Sequence, residues 1–303
     1  MSRPPHAIHT WLQLLRAPNL FTVPGDPLAG FLLASGGFLD PRAAFAILAA
    51  LCFYAAGLLD NDLADYVEDR RERPQRPLPS GAAHVGVVSI VAALLGLTGL
   101  GLCAAGGRMM LEVGVALLLA IGLYNHGLKR LAGVGPINMG LCRGLSLLLG
   151  AVATGPDLLP PLVLSAVLGL TLYIALVTHL ARIETVSAPP KAPRFLPFVG
   201  LVFAVVVIFV FGVDRANIFA PSNIALYAVG AYTLYAGYKI HQRLTREPAP
   251  PIPPMIGQLI RLLLPLQAIW CLASRSVLGG LTATLLLALW PVSRAVSRRF
   301  YAS

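Results

Sequence analysis

The sequence is poor in what a water-soluble protein depends on. Only 13 of its 303 residues are acidic, and charged residues make up 12% of the total, against about 25% in a soluble domain. That excludes an ordinary cytosolic fold. Its four cysteines (52, 103, 142 and 271) are isolated within apolar runs and make no CxxC pair. Neither a zinc site nor a disulfide framework is indicated. The N-terminus reads Met-Ser-Arg-Pro-Pro-His, and the first apolar run carries Pro18, Asn19, Pro24 and Asp26, so no cleavable signal is expected. There is no DGxxAR motif of the kind that head-group transfer to phospholipids uses. The acidic residues collect at one rim rather than deep in several apolar segments, which argues against a channel or a proton-coupled carrier.

What is abundant is apolar sequence. The chain is 57% hydrophobic, its mean hydropathy is +0.76, and stretches long enough to span a bilayer recur from end to end. The expected spans are 13–35, 42–64, 84–105, 109–127, 135–154, 158–181, 194–212, 221–241, 255–273 and 277–294. The predicted class is an all-α integral membrane protein, with residues 1–303 forming a single polytopic membrane domain. Segment 255–273, with Arg261, Pro265 and Gln267 inside it, is a weak span that reads as tilted or partly interfacial. The choice between nine and ten spans therefore stays open.

The net charge of +10 follows from topology rather than from nucleic-acid binding. With the N-terminus in the cytoplasm, 17 of the 23 Lys and Arg fall on cytoplasmic segments and only Arg42, Arg108, Arg215 and Arg275 on the other side. That is the positive-inside pattern, expected of an inner-membrane, multi-pass protein. The long and proline-rich connections (65–83, 182–194 and 243–254) lie on the same cytoplasmic face, so working groups are expected there.

One stretch concentrates the chemistry. Six of the 13 acidic residues (60, 62, 65, 68, 69 and 72) lie between residues 60 and 72, directly after an apolar run and beside Arg70, Arg71, Arg73 and Arg76. On a continuous helix Asp62, Asp65 and Asp69 project within roughly 60° of one another, with Asn61 on the flank of that arc. Oxygen donors on one face, without His or Cys, suit a hard cation such as Mg²⁺, which completes its shell with water and phosphate oxygens. The arginines that follow suit the remaining charge of a diphosphate. The plainer reading is a solvated acidic helix end beside a basic loop.

These residues carry a resemblance. Asn61-Asp62-x-x-Asp65-x-x-x-Asp69, followed by Arg73-Pro74-x-Arg76-Pro77-Leu78-Pro79-Ser80-Gly81, resembles the first aspartate-rich motif of the UbiA superfamily of intramembrane prenyltransferases. The likeness extends to Arg16-Ala17-Pro18-Asn19 and to Tyr124-Asn125-His126-Gly127-Leu128-Lys129-Arg130. It implies about nine, possibly ten, transmembrane helices around a central cavity. It also implies Mg²⁺ as cofactor, an isoprenyl diphosphate as donor, and a lipophilic acceptor, aromatic by expectation, that attacks an allylic carbocation. Carried over residue by residue, Asn61, Asp62, Asp65 and Asp69 match the metal-diphosphate motif, Arg73 and Arg76 its basic tail, and Tyr124 and Lys129 the pair beside the leaving group. On this likeness Asp62, Asp65, Tyr124 and Lys129 are the expected catalytic residues.

The sequence departs from that family where a second motif, DxxxD, normally closes the sixth span. Residues 172–184 contain no aspartate and a single carboxylate, Glu184. Glu184, Arg182 or His179 then become the candidates for diphosphate contact there, a cation standing in for a metal in the case of Arg182. The run Thr178-x₃-Arg182-x-Glu184, with Met139-Gly140-Leu141-Cys142-Arg143, looks most like the EboC-type branch. Arg143 is an intramembrane charge, for which function is the default: it faces diphosphate or pairs with an acidic residue. Asn138 reads as a cavity residue or an interhelical hydrogen bond. Asp26 reads as a helix cap or a ligand, and Gln267 and Arg261 as cavity lining or as one side of an interfacial helix. Two functions remain: a Mg²⁺-dependent prenyltransferase, or a non-catalytic membrane protein on the same scaffold that binds a prenylated lipid or helps export a metabolite.

Overall fold

In hydrocarbon a backbone must satisfy its own polar groups, and helices do so within one segment. The structure, a computed structural model, describes residues 7–38, 40–155, 159–182, 192–246 and 250–297. Its α-helices are α1 (Ala7–Leu14), α2 (Ala17–Leu20), α3 (Gly25–Ser35), α4 (Arg42–Ala64), α5 (Tyr66–Glu72), α6 (Val85–Gly106), α7 (Arg108–His126), α8 (Val134–Val152), α9 (Pro161–Ala181), α10 (Leu196–Gly212), α11 (Pro221–Leu244), α12 (Ile252–Arg261), α13 (Leu263–Ala273) and α14 (Val277–Ser297). No strand occurs among the described residues. Proline opens α9 and α11 at a position where its missing N–H is no loss. Gly36, at φ 63°, ends α3 in the left-handed conformation that favours glycine.

Among the described residues, seven segments are long and apolar enough to cross a membrane: α4, α6, α7, α8, α9, the α12–α13 pair and α14. The shorter α10 is apolar as well. Two expected spans are not single helices. Residues 13–35 divide among α1, α2 and α3, because Pro18 and Pro24 interrupt the ladder and Arg16 turns the chain at φ 46°. Segment 255–273 breaks at Leu262 into α12 and α13. It is not interfacial: Ile252–Ala273 is 78% buried, the highest share of any candidate span.

Helix α8 packs against α3, α7 and α9, while α4 holds α6 and α7, and α13 joins α3, α11 and α14. Contact between α3 and α8 is close enough that a Cβ on Gly150 would run into the Pro27 carbonyl. Small residues at such crossings let backbones approach, which drives packing where no hydrophobic force acts between helices. One core gathers around the fully buried Trp270 and Tyr173, whose hydroxyl donates to the Leu259 carbonyl at 2.7 Å. A second gathers around Phe31, Phe53 and Met110.

Candidate active site

Helices α4, α7, α8, α9 and α12 enclose a cavity of about 600 Å³. Its wall is apolar, with Phe53, Leu117, Ile121, Met139, Ile174 and Ile260 on it. Its polar lining is basic among the described residues: Arg16, Arg73, Arg76, Lys129, Arg130 and Arg143 stand with two carboxylates, Asp65 and Glu68. Asp62, Asp69 and Asp26 pair with Arg16, Arg76 and Arg143 from behind, so the excess is small, but it is positive and sits between low-dielectric walls, which favours an anion. Five of the cations belong to the end of the bundle where α4 finishes and α8 starts. Arg143 is nine residues along α8, so at 1.5 Å per residue it lies about 14 Å below the start of that helix.

The acidic motif does not run as one helix. Helix α4 ends at Ala64, Asp65 adopts φ −91° and ψ 0°, and α5 begins at Tyr66. Spacing of i, i+4 and i+7 keeps Asn61, Asp65 and Glu68 on one face across this junction. Asn61, Asp65 and Glu68 line the cavity, whereas Asp62 and Asp69 are not among its lining residues. Asp62 lies 3.6 Å from Arg16. Asp69, nearly buried, accepts from Arg76 at 2.8 Å and has Arg73 at 4.0 Å. The expected four-residue metal face of Asn61, Asp62, Asp65 and Asp69 is therefore divided. Among the described residues no three His, Cys, Asp or Glu side chains group to hold a metal ion.

Asp65 is the centre of the rim. Lys129 Nζ donates to Asp65 Oδ1 at 2.5 Å and to Asn61 Oδ1 at 3.3 Å, so two oxygen donors converge on one positive charge. Tyr124 lines the cavity on the same side. Asp60 points elsewhere: Asn125 donates to it at 2.7 Å and His126 lies 3.1 Å away.

Arg182 is not a lining residue. Its guanidinium donates to the carbonyls of Lys129 at 3.0 Å, Leu131 at 2.6 Å and Arg130 at 3.3 Å. It thus holds the turn that carries Lys129 and Arg130, and direct contact with an anion in the cavity is not what its geometry offers. On α9 the cavity meets Thr178 and Ala181 instead. Glu184 lies outside the described residues. Asn138 donates to the Ala120 carbonyl at 2.7 Å and bridges α8 to α7.

Arg143 both lines the cavity and pairs with an acid. Its Nη2 is 2.7 Å from Asp26 Oδ2 and donates to the Thr22 carbonyl at 3.0 Å. Gln267 donates to Asp26 Oδ1 at 2.6 Å and to the same Thr22 carbonyl at 2.7 Å. Asp26 is wholly buried, so it fixes Arg143 rather than capping a helix. A Cβ on Gly25 would collide with the Gln267 amide, and glycine there lets α13 close on α3.

The sequence assigns no site role to Arg16, Tyr54, Glu68 or Arg130, all of which line the cavity. Arg16 had a signal, since it begins the Arg-Ala-Pro-Asn segment. Glu68 had one as well, since it stands seven positions after Asn61 and three after Asp65 and shares their helical face.

The UbiA prenyltransferase family model matches residues 27–188, more than half of the chain. Digeranylgeranylglyceryl phosphate synthase of Sulfolobus acidocaldarius is 28% identical over 151 residues, 49% of this chain and 54% of that protein. The synthase of the same name from Methanocaldococcus jannaschii is 29% identical over 158 residues, 52% of this chain and 56% of that one. The chain spans about half the length of the curated relatives it matches. Among solved structures, a UbiA homologue from Archaeoglobus fulgidus bound to GPP and Mg²⁺ superposes with a TM-score of 0.65 at 15% identity, covering 94% of this chain and 99% of that one. A UbiA homologue from Aeropyrum pernix K1 gives 0.63 at 18% identity, over 83% and 96%. Likeness at such identities speaks for the fold, an all-helical membrane bundle. With the family model covering the aspartate motif, the Lys129 turn and α8, this multi-pass membrane protein belongs to the UbiA prenyltransferase family.

Proposed function

We propose that the chain is a Mg²⁺-dependent intramembrane prenyltransferase that moves an isoprenyl group from its diphosphate to a lipophilic acceptor. The observation that carries this reading is the cavity itself. Its polar lining is mostly basic at the open rim, with Arg143 deeper, and its wall is largely apolar below. A prenyl diphosphate has the same polarity, a multiply charged head on a hydrocarbon tail.

The donor set fits the metal. Asn61 and Asp65 supply hard oxygens that already converge on a positive charge, the Lys129 ammonium, and Glu68 is the other carboxylate on the lining. Asn61 and Asp65 are the residues that would hold Mg²⁺, while Asp62 and Asp69 fix Arg16 and Arg76 behind them. When bound, Mg²⁺ would neutralise charge that builds on the leaving diphosphate.

The chain's own cations would add to that neutralisation. Cleavage of the allylic carbon–oxygen bond leaves the electron pair on diphosphate, and Lys129, Arg73, Arg76 and Arg130 are preorganised donors for it. Tyr124 stands beside them on the lining. The apolar wall keeps water from the carbocation until the acceptor attacks and loses a proton.

Helix α9 contributes indirectly. Arg182→Ala is expected to weaken geranyl diphosphate binding about tenfold, through loss of charge-assisted bonds that hold the Lys129 turn, without loss of folded protein. Titration by isothermal calorimetry checks this, and unchanged affinity would mean that the turn holds itself.

A second reading, lipid binding without catalysis, is favoured by the pairing of Asp62, Asp65 and Asp69 with cations of the chain itself. One experiment separates the two. Geranyl and farnesyl diphosphate are titrated into the detergent-purified protein with and without Mg²⁺, and released diphosphate is assayed after addition of phenolic, aromatic-acid and lipid-phosphate acceptors. The expected result is Mg²⁺-dependent binding followed by release with one acceptor class. Tight binding with no release under any acceptor would establish the binding protein, and no binding would remove the donor assignment.

A further inference from the structure

A second groove, of about 420 Å³, lies away from the cavity between α11 and α14, and shares no lining residue with it. Val229, Tyr232, Leu287, Trp290 and Pro291 line it, with Arg294 at its basic end. The Arg294 guanidinium stacks 4.5 Å over the Trp290 ring, and Tyr232 meets the same ring edge-on at 5.4 Å.

Side chains on a helix lean toward its N-terminus. For α14 that end lies beside Gly37, since a Cβ there would collide with Ser276, at the opposite end of the bundle from the rim. Stacking on Trp290 therefore draws the Arg294 charge about one turn into the membrane, where a long basic side chain would otherwise snorkel to the surface. Among the described residues the Trp290 ring is the partner of Arg294 and no carboxylate pairs with it. A cation held at the end of an apolar groove favours an anion, and cation–π contact alone supplies only part of the compensation.

We propose that this groove binds an anionic phospholipid, its phosphate on Arg294 and one acyl chain along Val229, Tyr232 and Leu287. Basic pockets between transmembrane helices are sites of this kind. The groove faces the bilayer, with Tyr232 50% exposed, so a lipid reaches it by lateral diffusion, whereas a soluble anion would have to cross hydrocarbon. The site is separate from the donor cavity and does not depend on the function proposed for it.

The test uses full-length protein in mixed micelles of phosphatidylcholine and phosphatidylglycerol, with brominated acyl chains on one lipid at a time to quench tryptophan fluorescence. Brominated phosphatidylglycerol is expected to quench at about fivefold lower mole fraction than brominated phosphatidylcholine, the preference that one arginine supplies. Arg294→Gln should abolish that preference, and Trp290→Phe should remove the quenched component. Equal quenching by the two lipids, or an unchanged preference in Arg294→Gln, would overturn the proposal. So would displacement by millimolar inorganic phosphate, which would mark a plain anion site, or by geranyl diphosphate. If Arg294→Gln does not survive purification, the lipid comparison and phosphate competition on the native protein decide alone.

Discussion

Asp65→Asn is expected to abolish Mg²⁺-dependent binding of geranyl diphosphate and to lower turnover by about 10² to 10³-fold, while the protein inserts and folds normally. Asp65 is the aspartate of the motif that lines the cavity, and it is the one that meets Lys129. Asparagine keeps its shape but removes the charge that attracts a divalent cation. The substitution also frees Lys129, so binding without Mg²⁺ should persist or rise slightly as the ammonium becomes available to the diphosphate. This opposite response with and without metal is the signature to look for in a pair of titrations. Asp62→Asn and Asp69→Asn act by another route, by loosening Arg16 and the Arg73–Arg76 pair, so they should weaken binding in both conditions. Unchanged Mg²⁺ dependence in Asp65→Asn would remove Asp65 from the metal site.

The contrast between Asp65 and its neighbours was not legible in the sequence. Charge density after an apolar run located the motif, and helical spacing put three aspartates on one arc, but the same spacing puts Asn61, Asp65 and Glu68 on another arc of roughly 60°. That second arc lines the cavity, and spacing alone does not say which of two overlapping arcs faces inward. Most spans were readable because hydropathy is a local property; proline or partner choice broke 13–35 and 255–273, and the expected span 221–241 forms α11, which is not among the helices apolar enough to cross. Arg182 shows the other limit. From spacing it is a cation near a missing acidic motif, yet its partners are three carbonyls more than 50 positions earlier. A guanidinium carries no mark of whether it will meet an anion or a backbone turn.

The same limit hid the meaning of Arg143, and the second large effect follows from it. Asp26, Arg143 and Gln267 come from α3, α8 and α13, separated by more than 100 positions, and meet at the Thr22 carbonyl. Asp26 is wholly buried within the membrane bundle. A buried pair of this kind gains little over a well-packed apolar pair, but removal of one partner strands a charge and destabilises by about 3–5 kcal/mol. Arg143→Leu and Asp26→Leu are each expected to lower the midpoint of thermal unfolding in detergent by on the order of 10 °C. The double substitution should recover most of that loss, since neither charge is then left unpaired. Function should not recover with it. Arg143 is the deep cation of the cavity, and a double variant that folds well but fails to release diphosphate would separate the two tasks of this residue. Stability losses that simply add in the double variant would show instead that Asp26 and Arg143 are independent, with Gln267 the true partner of the buried carboxylate.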